Sequence, residues 1–355
     1  MTSKRVVWVL GSGFSRPLGG PLLDELLSPR MGSLVAARFG DPEEAHHHVR
    51  EVFARHLKQG LRLWENAEQF LDILDQAREN RDLARLITGQ EEPNRREQVF
   101  QNKASPIDTL WQDACMAVAD ECRFCHGVQT SGEAWQPYKR WRKLLSDQDL
   151  IITFNYDRVL EALELSAVLP GNARLDGSPI PSRTVYKLHG SVDWVLADDK
   201  TIQRHNGRGQ VPFLATPGPT KFKHTNDEGP LSPLWSGARY ALIHAEAVVF
   251  MGYRFPPTDS HALGSILGAL GDNRSEHLRL FTVLGPRTQD EDTVRLQQLL
   301  HRTMRSAGRE HDKFAAKDPL IVSAAKALNQ RIYDLEVLPL YAQDYMVTMS
   351  RAEFG

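Results

Sequence analysis

Short, wholly apolar runs alternate along the chain with longer stretches of helical periodicity. Val6 to Leu10 is the first such run, rich in Val and bounded by Gly11. So short a run is a strand rather than a helix, apolar on both faces as in the middle of a parallel sheet. From about Arg50 to Arg78 the period becomes helical. Val52, Phe53, Leu57, Leu61 and Trp64 mark one stripe, and Ala67, Phe70, Leu71, Leu74 and Ala77 a second. Asn66 followed by Gln69 resembles a capping box that starts the second helix. The polar stretch from Gly89 to Ser105 has no period and reads as a surface loop. Two more helical patterns come next, one through Trp111, Ala114, Cys115, Val118, Ala119 and Cys122, the other through Trp141, Leu144 and Leu145.

Strands then return. Leu150 to Phe154 ends at Asn155-Tyr156-Asp157, ahead of a helical pattern of Val159, Leu160 and Leu163. Val185 to Leu188 ends at His189-Gly190, and Val192 to Leu196 offers a hairpin partner. Asp198 to Pro230, rich in Gly, Pro, Thr and Asn, is too long for an ordinary connection and reads as a functional loop or an irregular excursion. Leu234, Ala238, Leu242 and Ile243 predict a helix. Ala247 to Met251 is a strand closed by Gly252, and Leu278 to Leu284 one closed by Gly285. Leu296, Leu299 and Leu300, then Ile321 to Ile332, read as helical. The pattern predicts an α/β fold, a Rossmann-like doubly wound parallel sheet with a helical insertion. On this reading residues 1–40 begin the core and 41–148 are the helical insertion, a candidate regulatory or oligomerisation region. Residues 149–310 complete the core, and 311–355 form a C-terminal helical segment packed on it.

Composition narrows the partners. Among 355 residues, 43 Lys and Arg face 45 Asp and Glu, for a net charge of −2, so no basic face dominates and direct nucleic-acid binding is not expected. The 3 cysteines all lie between Cys115 and Cys125, which is no disulfide framework and points to a reducing compartment. Cys122-Arg123-Phe124-Cys125-His126, even with Cys115, falls short of a four-ligand zinc set; these are read as buried cysteines of a helix, and no metal is expected. No apolar run approaches a membrane span and no export signal is visible, so the expectation is a cytoplasmic protein without membrane contact.

The candidate chemistry lies where the apolar runs end. Gly11-Ser12-Gly13-Phe14-Ser15 comes directly after the first strand; glycines there let backbone N–H groups approach a phosphate, and the next helix's amino end would favour an anion. The same residues also suit a plain turn, and Arg16 suits either a phosphate or solvent. Thr153-Phe154-Asn155-Tyr156-Asp157 sits at a second strand end, where open α/β sheets place their ligand crevice. Asn155 can hold a water or ribose hydroxyl as donor and acceptor, and Asp157 can accept from an amide, although both also suit capping of the helix at Val159. His189 ends a third strand with a pKa suited to a general base, or is a hydrogen-bonded core histidine. Lys187 is expected on the face opposite Leu188. Gly252-Tyr253 ends a fourth strand, as a nucleotide contact or a turn.

Taken together these motifs resemble the SIR2-like superfamily, the sirtuins and their bacterial NAD-consuming relatives. The family's GAGxS motif stands here as Gly11 to Ser15, its TxNYD motif as Thr153 to Asp157, and its catalytic His before Gly as His189-Gly190. Tyr186 to Trp194 is similar to the bacterial defence-associated branch, and Gly252-Tyr253 to the later turn that contacts the nucleotide. The resemblance implies that NAD is the substrate, with its pyrophosphate at Gly11 to Ser15 and further contacts from Thr153, Gly252 and Tyr253. It implies cleavage of the nicotinamide–ribose bond, with Asn155 placing water or the ribose hydroxyls, Asp157 engaging the nicotinamide and His189 as base. It further implies an antiphage effector that depletes NAD, held off by homo-oligomerisation or by a separate sensor, an ATPase-like or Argonaute-like protein. The alternatives are an NAD-dependent deacylase or ADP-ribosyltransferase, and a non-catalytic NAD- or ADP-ribose-binding module. The chain departs from the deacylases: it has no Cys after Cys125 for their zinc, and Pro17 to Asp24 lacks their acidic and aromatic stretch. Leu284-Gly285 stands where many relatives place an Asn for the adenosine ribose.

Overall fold

Apolar runs buried on both faces need neighbours on both edges, and the chain supplies them with a seven-stranded parallel sheet. The computed structural model describes residues 4–40, 43–58, 63–94, 97–98, 103–125, 127–173, 183–205, 210–215, 229–256, 259–311 and 331–354. In chain order the strands are β1 (Val6–Leu10), β2 (Leu150–Thr153), β3 (Thr184–Lys187), β4 (Trp194–Leu196), β5 (Ile202–Arg204), β6 (Ala247–Met251), β7 (His277–Val283), β8 (Glu310–His311) and β9 (Ile332–Leu338). The sheet runs β3-β2-β1-β6-β7-β9-β8. From β1 the chain steps outward through β2 to β3, then crosses back to β6 on the other side of β1. The order therefore reverses between β1 and β6, which is consistent with a Rossmann-like fold and puts the crevice at their carboxyl ends.

The helices are α1 (Ser12–Ser15), α2 (Pro29–Phe39), α3 (Glu43–Lys58), α4 (Ala67–Ala77), α5 (Arg81–Thr88), α6 (Pro106–Cys122), α7 (Gln136–Leu144), α8 (Val159–Ala162), α9 (Ser232–Ile243), α10 (Ser260–Gly271), α11 (Glu291–Ser306) and α12 (Ala342–Thr348). The capping box forms: Asn66 Oδ1 accepts from the Gln69 N–H at 3.0 Å, and Gln69 Oε1 accepts from the Glu65 N–H at 2.7 Å. Helices α3 to α6 share an apolar core of their own, built on Trp64, Phe70, Leu74 and Val118. Leu26 and Leu27, ahead of residue 41, already pack in it, and so do Tyr156, Val192 and Leu214 from the loops at the sheet's carboxyl edge. The helical layer thus lies over the strand ends. Arg123 fastens it there, donating to Val192 O at 2.8 Å while pairing with Asp120 at 2.6 Å. Tyr138 and Trp141 of α7 belong instead to the sheet's core.

Two expectations change. Ile332 opens strand β9, whose alternating Asp334 and Glu336 give it a period of two; the expected helix from 321 to 330 lies outside the described residues. Beyond β9 the chain enters α12, and Tyr345, Met346, Met349 and Phe354 pack on the sheet's core. The partner of Trp194–Leu196 is β5 rather than β3. Leu57, Leu61, His126 and most of the 198–230 excursion also fall outside the described side chains. Among the described residues no helix is long and apolar enough to cross a membrane.

Candidate functional site

Four neighbouring strands, β3, β2, β1 and β6, bring the predicted residues to one edge of the sheet. The glycine turn after β1 is locked to the turn after β6. Gly11 N–H donates to Met251 O and Gly13 N–H to Gly252 O, both at 3.1 Å, and Phe14 N–H donates to Gly11 O at 2.9 Å. A Cβ on Gly11 would lie 2.6 Å from Gly252 O, and one on Gly13 2.8 Å from Gly252 Cα. These glycines are thus required by backbone-to-backbone packing, before any ligand is considered. The next helix is a single turn running into a 3-10 turn at Arg16–Leu18, so it lends only a single turn's field to an anion. Within the motif Ser12 and Gly13 are half-buried, whereas the Phe14 ring is packed inward between Tyr138 and Trp141, at 5.1 and 5.2 Å between centroids. Arg16 is partly exposed, its side chain at 37 %. It forms a two-pronged ion pair with Glu25 at 2.6 and 2.7 Å.

The turn after β2 reaches back to this motif. Asn155 donates from its side-chain amide to Gly11 O at 3.0 Å and to Ser15 Oγ at 3.2 Å, while its backbone N–H donates to Thr153 Oγ1 at 3.1 Å. The Ser15 hydroxyl thus joins the glycine motif to the second motif through Asn155, and its proximity helps hold the Asp157 carboxyl down. Asp157 accepts from the Val159 N–H at 3.0 Å, which realises the capping role. Burial raises the Asp157 pKa, against the opposing pull of the Lys187 charge.

Lys187, expected on the face opposite Leu188, is the last residue of strand β3. The side chain is 1 % exposed and turns across the strand end, donating to Asp157 O at 2.5 Å, Ser191 Oγ at 2.7 Å and Glu161 Oε1 at 3.1 Å. It clamps the β2 and β3 turns together. Gly190, at φ 86°, lies so close to the 213–215 segment that a Cβ would be 2.2 Å from Phe213 O.

His189 is buried, at 3 % exposure, and its Nε2 lies 3.1 Å from Asp259 Oδ2. Tyr253 donates its hydroxyl to the same carboxylate oxygen. The Tyr253 ring stacks on Phe154 at 4.0 Å, and Phe154 meets the His189 ring edge-on at 4.8 Å. Phe154, which touches the histidine, immediately precedes Asn155 in the chain. Asp259, just before α10, and Glu68 of α4 were both missed by sequence reasoning. Burial, with the charges of Asp259 and Glu68, holds the Tyr253 phenol well above its ordinary pKa; burial and Glu68 do the same at Tyr156.

A separate cleft of about 480 Å³ opens at the carboxyl ends of β6 and β7. Arg254, Gly285, Arg287, Asp290, Glu291 and Tyr341 line it. Arg254 donates to Leu284 O at 2.7 Å and pairs with Asp290 at 3.1 Å. Cys115, Cys122 and Cys125 are free and buried, and burial pushes the Cys125 thiol up to about 12.

The class that fold and site define is an α/β protein with a Rossmann-like parallel sheet and a polar, partly buried centre at its topological switch. No family model matches the chain, and no curated protein matches its sequence.

Proposed function

We propose that the protein is an NAD+ glycohydrolase of SIR2-like type, cleaving the bond between nicotinamide and ribose. One observation carries the reading: the Asn155 amide is hydrogen-bonded to Gly11 O and Ser15 Oγ of the glycine motif, at the strand end whose Phe154 touches His189. Those are the residues that the motifs single out, drawn from positions more than a hundred apart in the chain. The cleft beyond Gly252, with Arg254 and Arg287 beside Tyr341, offers charge and an aromatic face for the distal part of a dinucleotide.

In the reaction NAD+ and water give nicotinamide, ADP-ribose and a proton. The leaving group is cationic, so the transition state spreads positive charge over the ribose, and the protein's work is to hold the sugar and stabilise that charge. Asn155 orients the ribose hydroxyls or the attacking water. Asp157 supplies acceptor capacity toward the nicotinamide end, and His189 takes a proton from a ribose hydroxyl or from water. Ser12 and Gly13 are the half-buried members of the turn that would face the pyrophosphate; Gly13 has already committed its N–H to Gly252. The reading requires His189 to become reachable from the crevice. The family resemblance extends the proposal to an antiphage effector that works by depleting NAD.

The test is chromatography of purified protein incubated with NAD+. Nicotinamide and ADP-ribose should appear in equal amounts, and His189→Ala should abolish both. Binding of NAD+ without product would favour a non-catalytic module, and turnover that requires an acyl-lysine peptide would favour a deacylase.

A further inference from the structure

Pairing between β2 and β3 stops at Thr153 and Lys187, so the turns that carry Asn155 and His189 need another tie. We propose that Lys187 is a positioning residue, whose buried ammonium joins those two turns and fixes where His189 stands relative to Asn155. Its meaning for catalysis rests on the NAD-cleavage reading; the tie between the turns stands on its own geometry.

Leu188 N–H still donates to Thr153 O at 3.0 Å, and beyond it both chains turn. There the Lys187 side chain, 1 % exposed, takes over from the ladder. An ammonium has three N–H donors and no acceptor. One meets Asp157 O at 2.5 Å, two residues beyond Asn155. Another meets Ser191 Oγ at 2.7 Å, two residues beyond His189. The third meets Glu161 Oε1 of α8 at 3.1 Å, which supplies the countercharge. The turn that carries His189 is thus closed on itself from Lys187 to Ser191, with Gly190 at φ 86° completing the bend, and the same ammonium grips the turn that carries Asn155.

Ser191 extends the tie. Because Lys187 can only donate, Ser191 Oγ accepts from it and directs its own hydrogen to Asp193 Oδ1 at 2.6 Å. Val192 N–H then donates to Tyr156 O at 3.1 Å, a second link between the same two turns. A lysine beside a serine also has the composition of a base and its nucleophile. Here Ser191 is 0 % exposed and its hydrogen is committed to Asp193, so the pair binds the turns together rather than attacking a substrate. Position matters because Asn155 and His189 must act on one ribose. A displacement of about 1 Å at a reacting centre costs on the order of 10²-fold in rate.

Removing the ion pair as a unit separates position from stability. Lys187→Met/Glu161→Met leaves no buried charge unpaired, so it should fold. Its kcat for nicotinamide release should nevertheless fall on the order of 10²-fold, with KM for NAD+ little changed. Ser191→Ala leaves Lys187 and Glu161 paired and should lower kcat in the same sense, by less. Should the double variant fail to fold, Ser191→Ala carries the test. Amide exchange followed by NMR reads the tie without any need for activity. In both variants Val192 N–H should exchange on the order of tenfold faster, whereas Leu188 N–H, held by the ladder, should keep its wild-type rate. Wild-type kcat in the folded variants, or unchanged exchange at Val192, overturns the proposal. If the wild type itself releases no nicotinamide, the NAD-cleavage reading falls and the catalytic role with it, while exchange at Val192 still decides whether Lys187 ties the turns.

Discussion

Gly252→Ala provides a quantitative test of how the crevice is built, because a second glycine serves as its control. Gly252 has φ 70°, and a methyl group there would lie 2.4 Å from Phe14 N and 2.6 Å from Gly13 C. Gly308 also has φ 70°, but no atom lies within 4 Å of the place a methyl would take. Left-handed strain is common to both and costs roughly 1–2 kcal/mol. At Gly252 the two turns must also part, releasing the 3.1 Å bond from Gly13 N–H to Gly252 O and straining that from Gly11 N–H to Met251 O. Each such bond contributes about 0.5–1.5 kcal/mol net. Gly252→Ala should therefore lose roughly 1–3 kcal/mol more than Gly308→Ala. Urea unfolding followed by tryptophan fluorescence, with both variants beside the wild type, measures the difference directly. Equal losses at the two positions would refute the backbone lock between the turns.

Other residues carry independent expectations. Lys187→Met should cost about 3–5 kcal/mol, because it leaves the buried Glu161 carboxylate without its cation. The double variant Lys187→Met/Glu161→Met should recover part of that loss in denaturant titrations, and no recovery would mean that the ion pair is not the source. Tyr138→Phe removes the 2.6 Å bond to Phe14 O and should cost about 1–3 kcal/mol, read as a lowered unfolding midpoint; an unchanged midpoint would show that water replaces the hydroxyl. Burial raises Glu121 from its ordinary 4.5 to about 6, against the Arg50 charge. Between those values the folded state holds a proton that the unfolded chain has released, so stability falls as pH rises through the window. Relative to Glu121→Gln, the wild type should lose about 1.3 kcal/mol from pH 4.5 to 6, and parallel pH–stability curves would contradict the shift.

Much of the central sheet was legible because its strands are buried on both faces. Val6–Leu10, Leu150–Thr153 and Ala247–Met251 are continuous apolar runs that stop at glycine or Asx residues, and each is a strand. Strand β9 escaped notice because it alternates: Asp334 and Glu336 interrupt Ile332 to Leu338, and Asp334 pairs with His277 and Arg279 of β7. Helix α10 was hidden by Gly264, Gly268 and Gly271, which blur its apolar stripe. Missing that helix meant missing Asp259 at its start, and with it the partner of His189. Asn155 was legible as a strand-end residue, but its bonds to Gly11 and Ser15 join positions 144 and 140 apart, and no local pattern encodes such a pairing.

Asn155→Ala, studied beside the wild type, tests the central claim most directly. NAD+ affinity by calorimetry and nicotinamide release would be measured on the same preparation of each. The wild type should bind NAD+ and release nicotinamide continuously, whereas the variant should bind it and release none above the uncatalysed rate. Release at the wild-type rate from Asn155→Ala, or binding without release by the wild type, would contradict the assignment of these strand ends as a glycosidic-bond-cleaving site.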